Sequence, residues 1–260
     1  MKGSPLTEFP MSTAHFEYVL RLADNALILG QRLSEWCGHA PVLEEDLALA
    51  NVALDLIGQS RLLLTHAAQL EAKGRDEDQL AFLRMESQYR NLILVELPNV
   101  DFGRTVVRNF LFSAFQLHLW QALLSSGDIE LAAIAEKSLK ETRYHLRHSA
   151  DWVVRLGDGT EESHVRAQGA LEYLWPYTAE LFSADPVDDE VAAAGLGAAW
   201  STLEPTWEAT VRPVLAEATL AIPGRTAFRS RGKLGIHSEY MGHLLTEMQY
   251  LQRAYPAAQW

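Results

Sequence analysis

Cysteine is almost absent. Among 260 residues only Cys37 carries a thiol, so no intramolecular disulfide can form and no thiolate cluster can hold a metal. Such usage fits a reducing compartment, and a cytoplasmic location is expected. Positive charge is scarce as well: 22 Lys and Arg stand against 34 Asp and Glu, a formal net charge of -12. Nucleic-acid binding needs clustered cations that neutralise phosphates, and no such partner is expected. Met1 to Pro10 has one lysine, two prolines and no apolar run of the length a secretory signal needs, so export is not expected either. The nearest approach to a membrane span is Asn109 to Gly127, which has no formally charged side chain. It contains Asn109, Gln116, His118, Gln121 and three serines, each of which would need a partner in hydrocarbon. A core helix enclosed by other helices fits it better. Alternating strand patterns, internal repeats and low-complexity tracts are also lacking.

What is present is helical periodicity in a chain that is 48% hydrophobic. Val19, Leu20, Ala23, Leu27, Gly30, Leu33 and Trp36 follow in steps that place one stripe on a helix ended by Gly38 and Pro41. A second helix is predicted from about Glu44 to Lys73, with Glu44, Glu45 and Asp46 at its positive end and Gly74 as its stop. A short helical segment near Leu80 to Leu97 follows. Pro98, Asn99 and Asp101 then lead into the uncharged third long helix, closed by Gly127; Asp128 opens a fourth, closed by Gly157-Asp158-Gly159. Pro176, Pro186, Pro205 and Pro213 cut the last third into shorter pieces. Ile222 to Gly235 reads as a loop before a last helix, His237 to Tyr255. The expected architecture is all-α: an antiparallel four-helix bundle with additional C-terminal helices. Residues 1–12 are expected to be a flexible extension and 13–260 one domain.

Long-helix bundles can hold carboxylate-bridged di-iron sites, built from a Glu on each of two helices and a Glu-x-x-His pair on each of the others. This sequence lacks most of that set. No Asp or Glu lies between Phe102 and Gly127, so the third helix offers no carboxylate from its interior. Asp55-Leu-Ile-Gly-Gln59 in the second contains no such pair, and in the fourth Thr142 stands three before His145. Threonine is a poor iron ligand. The one literal Glu-x-x-His, Glu161 to His164, is better explained by Thr160 capping a helix with acids in its first turn. Glu141, His145 and His148 share one side of the fourth helix and leave a mononuclear metal site open. The core stripe Leu131, Ala135, Leu139, Thr142, Leu146 and Val153, however, puts His145 at its flank and the other two further out. His118 reads as a satisfied core histidine. Cys37, beside His39 but without an activating third group, reads as a packed thiol.

The runs Arg32-Leu-Ser-Glu-Trp-Cys-Gly-His-Ala-Pro41, Glu45-Asp-Leu-Ala-Leu-Ala-Asn51 through Gln59, Lys140-Glu-Thr-Arg-Tyr-His145, Gly235-Ile-His-Ser-Glu239 and Glu247-Met-Gln-Tyr-Leu-Gln-Arg253 resemble the C subunit of bacterial phenylacetyl-CoA epoxidase. The resemblance runs from about Thr13 to Trp260. It implies a ferritin-like fold and a non-catalytic structural subunit that pairs with and stabilises a related catalytic subunit. That partner would hold the di-iron centre, and a separate reductase would bring electrons from NADPH. By the resemblance, Leu56, Gln59, Thr142 and His145 are vestiges of ligand positions, so no catalytic, cofactor or metal residue is carried over to this chain. Arg225, Arg229, Arg231 and Lys233 are candidates for contacts with coenzyme A phosphates or with acidic partner residues. A stand-alone metalloenzyme and a homo-oligomeric binding protein, such as a homodimer, remain as alternatives.

Overall fold

The computed structural model describes residues 13–224, 226–256 and 258, whose regular secondary structure is helical, with no strand among them. In chain order the α-helices are α1 Thr13–Ser34, α2 Leu43–Glu71, α3 Glu77–Phe82, α4 Ile93–Glu96, α5 Phe102–Leu123, α6 Ile129–Gly157, α7 Glu161–Leu174, α8 Pro186–Ala193, α9 Glu204–Glu217 and α10 Glu239–Ala254. Short 3-10 turns fall at Glu86–Gln88, Trp175–Phe182, Trp200–Leu203 and Gly232–Leu234. The expected N-terminal extension, residues 1–12, lies outside the described residues, as does Arg225.

Four long helices carry the core. α1 packs along α2 and α5 along α6, with α2 also meeting α6. The pairs run antiparallel: Gly30 near the end of α1 lies against Ala53, Leu56 and Ile57 of α2, where an added Cβ would sit 3.1 Å from Ile57 Cγ1. His15 at the start of α1 and His66 near the end of α2 both reach Asp128, which caps α6. One buried apolar cluster extends from Ala14 to Met248. α5 buries 16 of its 22 residues, so the uncharged run is an enclosed core helix.

Local rules account for most helix ends. Asp128 accepts from the Leu131 amide, Thr160 from Ser163, and Asp101 from Arg104. Pro186 and Pro205 sit in first turns, where the missing N–H costs nothing. Three expectations need correction. The left-handed stop of α2 is Ala72 (φ 55°), two residues ahead of Gly74; Arg75 reaches back across this turn to Glu71, with Nε 2.8 Å from Oε2. Pro213 does not break α9 but lies inside it, on an exposed side where the carbonyl it leaves unbonded, that of Ala209, meets water. Leu80 to Leu97 is not one helical segment. Its backbone is claimed by buried side chains: Asp24 takes the Arg90 amide at 2.8 Å, Asn25 the Leu92 amide at 2.9 Å, and Glu180 the Ile93 amide at 3.1 Å. Asp24 also pairs with the buried Arg84.

The last helix starts at Glu239 rather than His237 because Glu96, fully buried, captures the two preceding residues. It accepts from the Ser238 amide at 2.6 Å and lies 2.7 Å from His237 Nδ1. Burial alone would lower the His237 pKa, but the bond to Glu96 and its charge outweigh burial and hold it above the ordinary 6.5. A raised folded-state pKa means that this pair stabilises fully below 6.5 and is lost as pH rises through the raised value. Urea denaturation should therefore show stability falling as pH rises above 6.5 through the raised value, at no more than about 1.4 kcal/mol per pH unit from this group. His237→Gln should remove that component; an unchanged pH profile in the variant would refute the assignment.

Candidate functional site

The interior positions on α2 and α6 form a polar seam. Leu56 is buried against Gly30 and offers no donor. Gln59 is buried; its Nε2 donates to Glu141 Oε2 at 2.9 Å, and its Oε1 has no hydrogen-bond partner. Thr142 is fully buried with its Oγ1 likewise unpartnered. His145 is buried, with Nε2 2.9 Å from Asp55 Oδ2. One turn on, His148 Nε2 lies 2.8 Å from Glu45 Oε2, its ring stacked on Tyr144. Glu141, His145 and His148 thus turn to three different residues of α2 and do not converge on a common centre. The core stripe also sits slightly rotated from expectation: His145 is inside and Leu146 at the flank.

α5 faces the interior with Asn109, Ser113 and Gln116, all buried. The Asn109 and Gln116 amide oxygens have no hydrogen-bond partner. A carboxylate-bridged pair of irons needs anionic oxygens that span two cations, and this interior supplies amides, hydroxyls, a leucine and one imidazole, with the carboxylates of Asp55 and Glu141 only at its partly exposed edge and each turned to a separate partner. The donor set does not fit a di-iron centre.

The remaining sequence candidates separate cleanly. His118 pairs with Thr210 Oγ1 at 2.8 Å, and burial lowers its pKa. His164 Nδ1 is 2.7 Å from the Gly157 carbonyl, held by the Thr160 cap. Cys37 is exposed rather than packed, because α1 ends at Ser34 and the chain turns outward through Gly38 (φ 82°). Of the basic loop, Lys233 is buried: its Nζ donates to the Ser183 carbonyl at 2.7 Å and Asp188 at 2.8 Å, and pairs with Asp185 at 3.1 Å. Those three partners use its three donors, leaving none for an outside ligand. Arg229 and Arg231 are exposed. Arg229 lines a cavity of about 340 Å³ that also includes Trp175, Phe182, Trp207 and Arg212.

A model of the family described as phenylacetic acid catabolic protein matches residues 7–260. The chain belongs to this family. It is also 51% identical, over 243 residues, to the Escherichia coli (strain K12) protein named as the C subunit of 1,2-phenylacetyl-CoA epoxidase, covering 94% of this chain and 98% of that one. The five sequence runs that carry the resemblance therefore point to the right family.

One cluster escaped sequence reasoning: His15, His66 and Asp128, from three different helices. No spacing signal marks it, since the residues are far apart in the chain and Asp128 reads simply as a cap.

Replacing His145 by Gln should cost about 1–3 kcal/mol of stability, because a buried imidazole bonded to a carboxylate is lost. It should leave the iron bound per chain unchanged. A fall in bound iron in the variant would contradict the reading of the interior as unfit for di-iron.

Proposed function

We propose that the four long helices form a ferritin-like bundle serving as the structural, non-catalytic C subunit of a cytoplasmic multicomponent di-iron monooxygenase. That assembly epoxidises phenylacetyl-CoA in phenylacetate breakdown. In this reading the chain pairs with and stabilises a related subunit that holds the di-iron centre, and a reductase delivers electrons from NADPH. The relative's name supports the assembly, and the unsuitable donor set supports the division of labour.

The observation that carries the pairing is the outer face of α2. Leu43, Leu47, Leu54 and Ile57 follow in steps of four, seven and three along one side and are 70%, 57%, 65% and 40% exposed. The opposite side, with Leu49, Val52, Leu56, Leu63 and Ala67, faces the core. By length and composition α2 is long and apolar enough to cross a membrane, yet only 44% of its apolar 18-residue stretch is buried. A helix apolar on both sides is normally covered on both, and a helical partner subunit is the cover we assign. Tyr144 of α6, 40% exposed beside the seam, extends the same surface.

Co-expression with a di-iron catalytic subunit of this enzyme class should give a co-purifying complex active on phenylacetyl-CoA. Leu47→Asp combined with Leu54→Asp should abolish co-purification while changing the stability of the isolated chain by no more than about 1 kcal/mol, since both side chains are exposed. Retained association would move the docking face elsewhere, and no association of the unaltered chain would sink the proposal. In the assembled enzyme, Arg229→Ala with Arg231→Ala should raise the KM for phenylacetyl-CoA about tenfold, the worth of one charge-assisted hydrogen bond. An unchanged KM with intact assembly would reduce this loop to a solvated surface.

A further inference from the structure

We propose that His15, His66 and Asp128 form a binding site for a divalent transition-metal ion, of the zinc type, that clips together the start of α1, the end of α2 and the start of α6. His66 Nε2 lies 2.5 Å and His15 Nε2 2.9 Å from the same carboxylate oxygen, Asp128 Oδ2. The three donor atoms lie within 4.8 Å of one another. Both imidazoles are buried, 5% and 8% exposed, and the Asp128 side chain is 7% exposed. The rings stand at 75° with centroids 6.2 Å apart, so two ring nitrogens can meet at one point without the rings colliding.

Two imidazoles and one carboxylate are a common first-row metal donor set, and three protein ligands with a fourth position for water suit zinc. Tetrahedral coordination at about 2.0–2.2 Å places ligand atoms about 3.3 Å apart. The two imidazole–carboxylate spacings need to open by less than about 1 Å, and the two imidazole nitrogens, no more than 4.8 Å apart, need to close by at most about 1.5 Å. The carboxylate is anchored for the task. Its other oxygen, Oδ1, accepts from the Leu131 amide at 3.0 Å, an outer bond of the kind that orients metal-bound carboxylates. The loop behind it is fixed too: the Asp128 amide donates to Ser126 Oγ at 3.0 Å, Ser126 Oγ to the Leu196 carbonyl at 2.6 Å, and the Gly127 amide to the Gly195 carbonyl at 2.8 Å. Burial opposes ionisation of Asp128, but the bonds to His15 and His66 outweigh it and keep the carboxyl well below the usual range. The anionic ligand that a cation requires is thereby present.

The competing account is a metal-free triad in which both imidazoles donate Nε2–H to Asp128. The two accounts differ in what added metal does. The full chain carrying Cys37→Ser, which removes the exposed thiol as a ligand, is freed of metal with a chelator and titrated with Zn²⁺ and Co²⁺. One saturating equivalent of Zn²⁺, a rise in melting temperature, and intense visible Co²⁺ bands of four-coordinate type are expected. His15→Gln, His66→Gln and Asp128→Asn, the last keeping a capping side chain, should each weaken Zn²⁺ binding at least tenfold, whereas His148→Gln should not. Absence of saturable binding, or binding equal in the site variants and the parent, overturns the proposal. Should a variant fail to fold, the Co²⁺ spectrum of the parent decides: weak six-coordinate bands, or none, overturn the site.

Discussion

Two cations and two carboxylates buried together tie the C-terminal third of the chain to its first helix. Arg21 on α1 donates to Asp185 and Asp188 at the start of α8, and Lys233 returns from the other end of the sequence to the same pair. Arg21 is fully buried and Lys233 is 3% exposed, with its ammonium 4.8 Å from the centre of the Trp200 ring. Charges so enclosed must balance, because removing one partner leaves an uncompensated ion at a cost of about 3–5 kcal/mol. That is a large share of the total stability of a domain, typically about 5–15 kcal/mol. A slip of α8 along α1 would strand at least one of the four, so the cluster fixes register where apolar packing alone tolerates sliding.

The same economy of buried polar groups shapes the middle of the chain. The segment between α3 and α5 contains only four residues of α-helix, α4, yet its amides are not left bare. Asp24, Asn25 and Glu180 receive them, and Glu96 in turn receives His237 and Ser238 from the far end of the chain. Irregular backbone can pass through a core only when side chains replace the helical bonds it lacks. Polar side chains of α1 and the 3-10 turn at Trp175–Phe182 supply that replacement.

This division explains what could be read from the sequence. The long helices were legible because their periodicity and caps are local: Asp101, Asp128 and Thr160 signal helix starts within three residues of where they act. The segment near Leu80 to Leu97 was not, because its conformation is set by Asp24 and Glu180, 60 or more residues away. Lys233 reads as an exposed loop cation in a Gly- and Arg-containing stretch, and nothing nearby announces that Asp185 and Asp188 will bury it. At the candidate site, the lack of any Asp or Glu between Phe102 and Gly127 is visible as letters. Which side chains face the interior, and which α2 residue each α6 side chain meets, depend on a helix pairing that sequence spacing does not encode. The seam is the product of two independent helical phases, and a small rotation of α6 was enough to bring His145 inside.

The composition of that interior bears on the proposed role. Carboxylates from several helices crowded into a core are like charges in a medium of low dielectric, tolerable when cations neutralise them and costly otherwise. Neutral polar groups avoid that cost, and the interior here holds Gln59, Asn109, Gln116 and Thr142. The acids that remain near the seam are placed where water helps: the Asp55 side chain is 37% exposed and that of Glu141 20%, each facing a neutralising or hydrogen-bonding partner across the α2–α6 contact. The polar seam can then be kept without metal. In the proposed role, the apolar stripe on the outside of α2 is covered when another helical surface lies against it.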